Sequence, residues 1–210
     1  MDAKILPFAI TMMAGPQIIS SIIFVTSEKG PVKVSLAYVC AVGLAATTGI
    51  LVAIGLANLL GNAIDLTGDG EESGAAKVIE IALLGLLIAF AVRSYLGRAT
   101  AEPPKWLGAL QGAGPRRAFE LGLMLILLMP SDLVIMLTIG IHIAGNEESL
   151  FDALATIGLT ALIAALPLLA YLLLGERASR TMPKVRDWMN SHSWLINILV
   201  AGLFIFLILS

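Results

Sequence analysis

Six apolar stretches, 5–26, 34–60, 78–96, 118–144, 153–174 and 193–209, alternate with polar connections along the chain. A helix needs about 20 apolar residues to cross a bilayer. The pattern therefore predicts an all-α polytopic membrane protein with six transmembrane helices. Three precede the connection 97–117 and three follow it. That connection carries Pro103-Pro104-Lys105-Trp106 and Gly112-Ala113-Gly114-Pro115, two clusters that break helices. Trp106 is expected at the membrane interface, with Leu107-Gly108-Ala109-Leu110 lying along it. The chain then reads as one transmembrane domain: a first repeat at about 1–97, a linker at about 98–116 and a second repeat at about 117–210.

The first and fourth stretches share an interruption. Each has a proline near its middle followed by a polar group: Ala14-Gly15-Pro16-Gln17 and Met129-Pro130-Ser131-Asp132. Proline lacks an N–H and clashes with the carbonyl four residues back, so each helix is expected to break there. The carbonyls of Met12 and Ile126 are the ones it would free. The second and fifth stretches carry central hydroxyls, Thr47 and Thr48 against Thr156 and Thr160. With three helices per half, the halves have opposite orientations. The expectation is a 3+3 inverted-topology repeat with its site at the two broken helices.

The second stretch has small residues at every fourth position: Ala37, Ala41, Ala45, Gly49, Ala53, Ala57 and Gly61. Such a strip lets another helix approach closely. It reads either as static packing or as a sliding surface.

Composition supports the membrane reading. The chain is 58% apolar and 13% charged, against roughly 45–50% and about 25% in soluble domains. The six stretches leave no room for a soluble catalytic domain. The first stretch holds a central proline and lacks a basic start and a cleavage site, so it is not expected to be a signal peptide. The single cysteine, Cys40, excludes an internal disulfide.

Charge is sorted by connection. Lys29 and Lys33 flank the first; Arg93, Arg98, Lys105, Arg116 and Arg117 the third; Arg177, Arg180, Lys184 and Arg186 the fifth. These are 11 of the 13 basic residues. The second connection instead holds Asp65, Asp69, Glu71 and Glu72, and the fourth Glu147, Glu148 and Asp152. Basic connections stay in the cytoplasm. A multi-pass plasma-membrane protein with both termini extracytoplasmic is therefore expected. A five-helix layout with one re-entrant or interfacial stretch would break the alternation.

Asp132 is the one carboxylate near the middle of a stretch. A charge there costs about 2.5–3.5 kcal/mol on insertion scales, and intramembrane acids are functional by default. Asp132 is thus a candidate proton carrier or cation partner; the structural reading is a carboxyl bonded to a carbonyl freed by the kink. Gln17 can donate and accept at once, and serves either a substrate or the carbonyl of Met12. Ser131, Thr47, Thr48 and Thr160, with Ser20 and Ser21, are candidates to line the same cavity beside Pro16 and Pro130. Taken singly, each hydroxyl reads first as a bond to its own backbone or to a neighbouring helix. Glu120 lies 12 residues before Asp132, about 18 Å along a straight helix, within pairing reach of Arg116 and Arg117. No metal-ligand spacing, phosphate loop, nucleophile elbow or basic-aromatic face appears, so no enzyme, cofactor, metal or nucleic-acid partner is expected.

Gly15-Pro16-Gln17, the six-helix plan, Pro103-Pro104-Lys105-Trp106 and Met129-Pro130-Ser131-Asp132 together resemble the GAP family. These are the sulfolipid-1-addressing proteins of the LysE transporter superfamily, and the resemblance covers nearly the whole chain. It implies the inverted repeat and a role in export. Mycobacterial relatives are associated with delivering glycolipids to the cell surface. It supplies no catalytic residues. Metal-exporting branches favour several intramembrane acids, where Asp132 stands alone; a dithiol branch needs two cysteines, where Cys40 is single.

The expected function is a small secondary transporter, an exporter of a small solute or a lipid-linked substrate, energised by protons or cations. Membrane lipids and a second copy of the chain are its candidate partners. The alternative is an accessory membrane protein of a glycolipid export assembly, docking through the small-residue strip.

Overall fold

The computed structural model describes residues 5–13, 16–61, 85, 88–89, 92, 95–96, 110, 112–144, 150–192, 194–195, 198–199 and 202. The third and sixth apolar stretches lie largely outside these residues. So do the acidic second connection, Trp106 and most of the linker. Seven helices are described: α1 (Ile5–Met13), α2 (Pro16–Val25), α3 (Pro31–Gly61), α4 (Pro115–Leu128), α5 (Pro130–Ala144), α6 (Leu150–Leu174) and α7 (Glu176–Ser191).

The breaks fall just ahead of the two prolines. One helix ends at Met13 and the next starts at Pro16; another ends at Leu128 and the next starts at Pro130. Each proline thus opens the second half-helix, where its missing N–H has no partner to lose. At Met129 the backbone is extended, and its carbonyl accepts from the N–H groups of Asp132 and Leu133. The axis turns by 65° between α4 and α5. At about 1.5 Å per residue, α1 and α2 each cover about half of a roughly 30 Å hydrocarbon core, and α4 and α5 each about three quarters.

Two helices are long and apolar enough to cross a membrane, Pro31–Leu59 and Ala153–Leu174, and the bent pair α4–α5 makes a third if it is one span. The architecture among the described residues is all-helical, with two to three candidate spans.

α3 is the spine. Gly30, at φ 93°, turns the chain into Pro31 and accepts from the N–H of Val34. A side chain at that φ would be strained. α3 packs along α4, α5 and α6, and also touches α2. The small-residue strip makes this possible. A Cβ built on Gly122 would lie 2.7 Å from the Cβ of Ala41, and one on Gly140 would lie 2.6 Å from the Cβ of Ala53. Met136 sits over Gly49. The strip is therefore the bed on which the broken pair α4–α5 lies. Of its two readings, packing accounts for these contacts.

α7 departs from expectation. The fifth connection reads as a charged loop, yet it forms a 16-residue helix after Gly175, which has φ 54°. Ala178 is buried, Met182 and Met189 are half-buried, and Arg177, Arg180, Thr181 and Lys184 are exposed. An apolar face beside a basic one, with an exposed Trp188, is the pattern of a helix lying at a membrane surface. α7 packs against α2 and α6.

Candidate functional site

The first turns of α2 and α5 come together inside the molecule. Gln17 Nε2 donates to Asp132 Oδ2 at 3.0 Å, joining residues 115 positions apart. Gln17 exposes 2% and Asp132 0% of its surface. Ser131 Oγ, from an exposed residue, donates to the other carboxylate oxygen at 3.3 Å. The carboxylate thus lies in the first turn of a half-helix, where the helix dipole favours negative charge. Gln17 is in the equivalent turn of α2. The register is offset by one: Gln17 follows its proline directly, whereas Ser131 intervenes before Asp132.

Tyr38 on α3 holds the pair from the third side. Its hydroxyl donates to the backbone oxygen of Gln17 at 2.8 Å. The ring is fully buried and leans on Phe24, with centroids 5.1 Å apart. Gln17 Oε1 is buried and has no hydrogen-bond partner among the described residues. Buried polar atoms are rarely left so. The amide can donate to a carboxylate, as it does here, or with the other end accept from a carboxylic acid. The pair can therefore be satisfied in both protonation states of Asp132.

Other candidates are placed differently. Pro16 and Pro130 shape the site by opening α2 and α5. Thr160 is buried where α6 meets α1; its hydroxyl donates to the oxygen of Thr156 at 2.8 Å and lies 3.9 Å from Met12 Sδ. Thr11 and Thr156 are buried as well. Thr47 is half-buried and donates to the oxygen of Gly43 at 2.7 Å. Thr48 is exposed, away from the core. Ser20 bonds back to the oxygen of Pro16 at 2.7 Å. Ser21 instead donates across to the oxygen of Ala164 on α6, in the turn ahead of Pro167. The described geometry thus gathers Gln17, Ser131 and Asp132, leaves Thr47 bonded within α3, sets Thr160 between its own helix and Met12 of α1, and turns Thr48 outward.

Sequence reasoning passed over Tyr38 and Pro167. Tyr38 shares the phase of Ala41, Val42 and Ala45, the buried face of α3, so the helical period could have found it. Pro167 sits inside α6, which runs on through it from Leu150 to Leu174, unlike the breaks ahead of Pro16 and Pro130. Among the described residues, no group of three His, Cys, Asp or Glu side chains could hold a metal ion.

Arg116 Nε pairs with Glu120 Oε1 at 3.0 Å, the spacing anticipated at the start of the fourth stretch. It lies at the same end as Lys29, because Ser27 Oγ of the α2–α3 turn donates to the oxygen of Ala113 at 3.3 Å.

No curated protein and no solved structure matches the chain. The family described as Sap, sulfolipid-1-addressing protein, matches over residues 5–210. The match takes in both proline-broken pairs, α3, and α6 with the helix that follows it. The protein belongs to the sulfolipid-1-addressing protein family.

Proposed function

We propose that the protein is a small secondary transporter of the LysE superfamily. It exports a lipid-linked substrate or small solute, with the Gln17–Asp132 pair as its coupling site. The observation that carries this reading is the buried hydrogen bond between the two half-helices. Transporter sites lie near the midplane at the junction of discontinuous helices, between two repeats. An acid at such depth is retained for function by default. The pair works as a latch. With Asp132 ionised, the amide of Gln17 donates to it. With Asp132 protonated, its O–H can donate to Gln17 Oε1, or the contact can open to admit substrate. No nucleotide-binding motif is visible in the chain, so in this reading an ion gradient supplies the energy unless a partner protein does.

The inverted repeat belongs to this reading. In each half a proline-broken pair precedes an unbroken apolar helix: α1–α2 then α3, and α4–α5 then α6. Six spans place the basic connections in the cytoplasm and both termini outside. Thiol labelling tests this on a background with exposed Cys40 replaced by serine. A cysteine at Gly70 is expected to react with an impermeant reagent added outside, and one at Lys105 to be spared. The reverse pattern would overturn the orientation.

The accessory alternative rested on the small-residue strip as a docking surface. Ala41, Gly49 and Ala53 of that strip are in close contact with α4 and α5, so the strip offers a partner little at those positions. Reconstitution of the purified protein separates the two readings. A transporter moves solute across sealed liposomes on its own, whereas an accessory protein moves none.

A further inference from the structure

The end of the molecule that carries Lys29 also carries an open depression of about 780 Å³, away from the Gln17–Asp132 pair. It is lined by Lys29, Gly112, Ala113, Gly114, Arg116, Arg117 and Glu120. Three of these side chains are cationic and one is anionic. Glu120 is engaged by Arg116 in an exposed pair one turn apart on α4. Lys29 and Arg117 are exposed and make no ion pair among the described residues. The other three lining residues, Gly112, Ala113 and Gly114, carry no side chain larger than a methyl group.

The charges come from two parts of the chain that are locked together. Lys29 sits in the α2–α3 turn, and Arg116 and Arg117 begin α4. The bond from Ser27 to the oxygen of Ala113 ties these segments, and the backbone N–H of Lys29 in turn donates to Ser27 Oγ at 3.3 Å. The lysine stem crosses Gly114, with Cδ 3.8 Å from where a Cβ on that glycine would lie. The start of α4 has no side-chain cap, so it adds partial positive charge without competing for a ligand. Glu120 meets the charge of Arg116; Lys29 and Arg117 remain as like charges at one depression, and a bound anion relieves their repulsion.

We propose that this depression binds a sulfate or phosphate ester, the anionic headgroup of a membrane lipid. The segments around it, α2, α3 and α4, are apolar helices, so a lipid bound there keeps its chains beside them while its headgroup meets Lys29 and Arg117. Guanidinium groups hold such oxyanions through paired N–H donors. Binding here requires no transport cycle, so the site stands or falls separately from the coupling role of Asp132.

The test measures binding rather than flux. Full-length protein is inserted in nanodiscs of phosphatidylcholine containing a graded fraction of phosphatidylglycerol, and the retained lipid is counted by native mass spectrometry. The wild type is expected to retain phosphatidylglycerol selectively. Lys29→Gln and Arg117→Gln are expected to weaken this by roughly fivefold each, and about 25-fold together. Arg177→Gln with Lys184→Gln, on α7, removes the same charge elsewhere and is expected to change little. Inorganic sulfate is titrated in parallel. Selective retention of phosphatidylglycerol, lost in the Lys29 and Arg117 variants, supports the headgroup as the ligand; sulfate binding that depends on Lys29 and Arg117 in a wild type without lipid selectivity would overturn it in favour of a free anion. Equal losses in the α7 variant, or no selectivity in the wild type, would overturn the site. All four substituted basic residues are exposed, and matched melting curves verify folding.

Discussion

Gly140→Leu is expected to prevent α5 from seating on α3, lowering stability by about 3 kcal/mol. A Cβ at position 140 would lie 2.6 Å from Ala53 Cβ, 2.7 Å from the Ala53 carbonyl carbon and 2.8 Å from the Ile54 nitrogen. Two of those atoms are backbone, so no rotamer change relieves the clash; the helices must separate. Separation draws α5 away, and with it Asp132, which α5 holds against Gln17. Gly158→Ala is the control. A Cβ there meets nothing within 4 Å, and alanine improves helix propensity by up to about 1 kcal/mol. Thermal unfolding in one detergent compares them. Similar melting points for Gly140→Leu and the wild type would mean that α3 and α5 are not packed this closely.

Gln17→Leu is expected to destabilise by about 1.5–3 kcal/mol, because it leaves a buried carboxylate without its principal donor. Ser131, at 3.3 Å and on an exposed residue, is a weaker substitute. Asp132→Leu in addition should recover most of the loss, since removing both partners leaves no buried polar group unpaired. The double-mutant cycle thus predicts strong coupling between positions 17 and 132. Additive effects would show that the bond contributes nothing. The double variant also separates structure from function. A protein in which the pair only staples helices would keep its activity, and one in which the pair carries coupling would be stable and inactive.

Features set by local sterics were legible in the sequence. The breaks at Pro16 and Pro130 follow from a missing N–H and a fixed ring, which need no tertiary information. The strip on α3 was visible as a period of four, but whether it slid or packed was not; Gly122 and Gly140, the glycines that meet it, lie on other helices. Thr47 and Thr48 show the limit of counting central hydroxyls. Adjacent helical positions differ by about 100°, so the two cannot face the same way, and Thr48 points outward. The bond between Gln17 and Asp132 spans 115 residues, and no spacing announces a contact of that range. α7 was hidden by its charge. Four basic residues read as a connection, while Ala178, Met182 and Met189 carried a weaker apolar face.

The site stands on one contact between two broken helices, and Asp132→Asn addresses it with the least disturbance. Asparagine retains an acceptor for the amide of Gln17 and gains a donor for its unpartnered Oε1, so folding and insertion should persist. It cannot take up or release a proton. The deciding measurement is proton-driven flux in proteoliposomes, with wild type and variant compared at equal amounts of folded protein. The account predicts that Asp132→Asn loses gradient-driven flux while it still exchanges substrate down its own gradient. Flux at the wild-type level in the variant would contradict it and leave the buried pair a structural bond between helices.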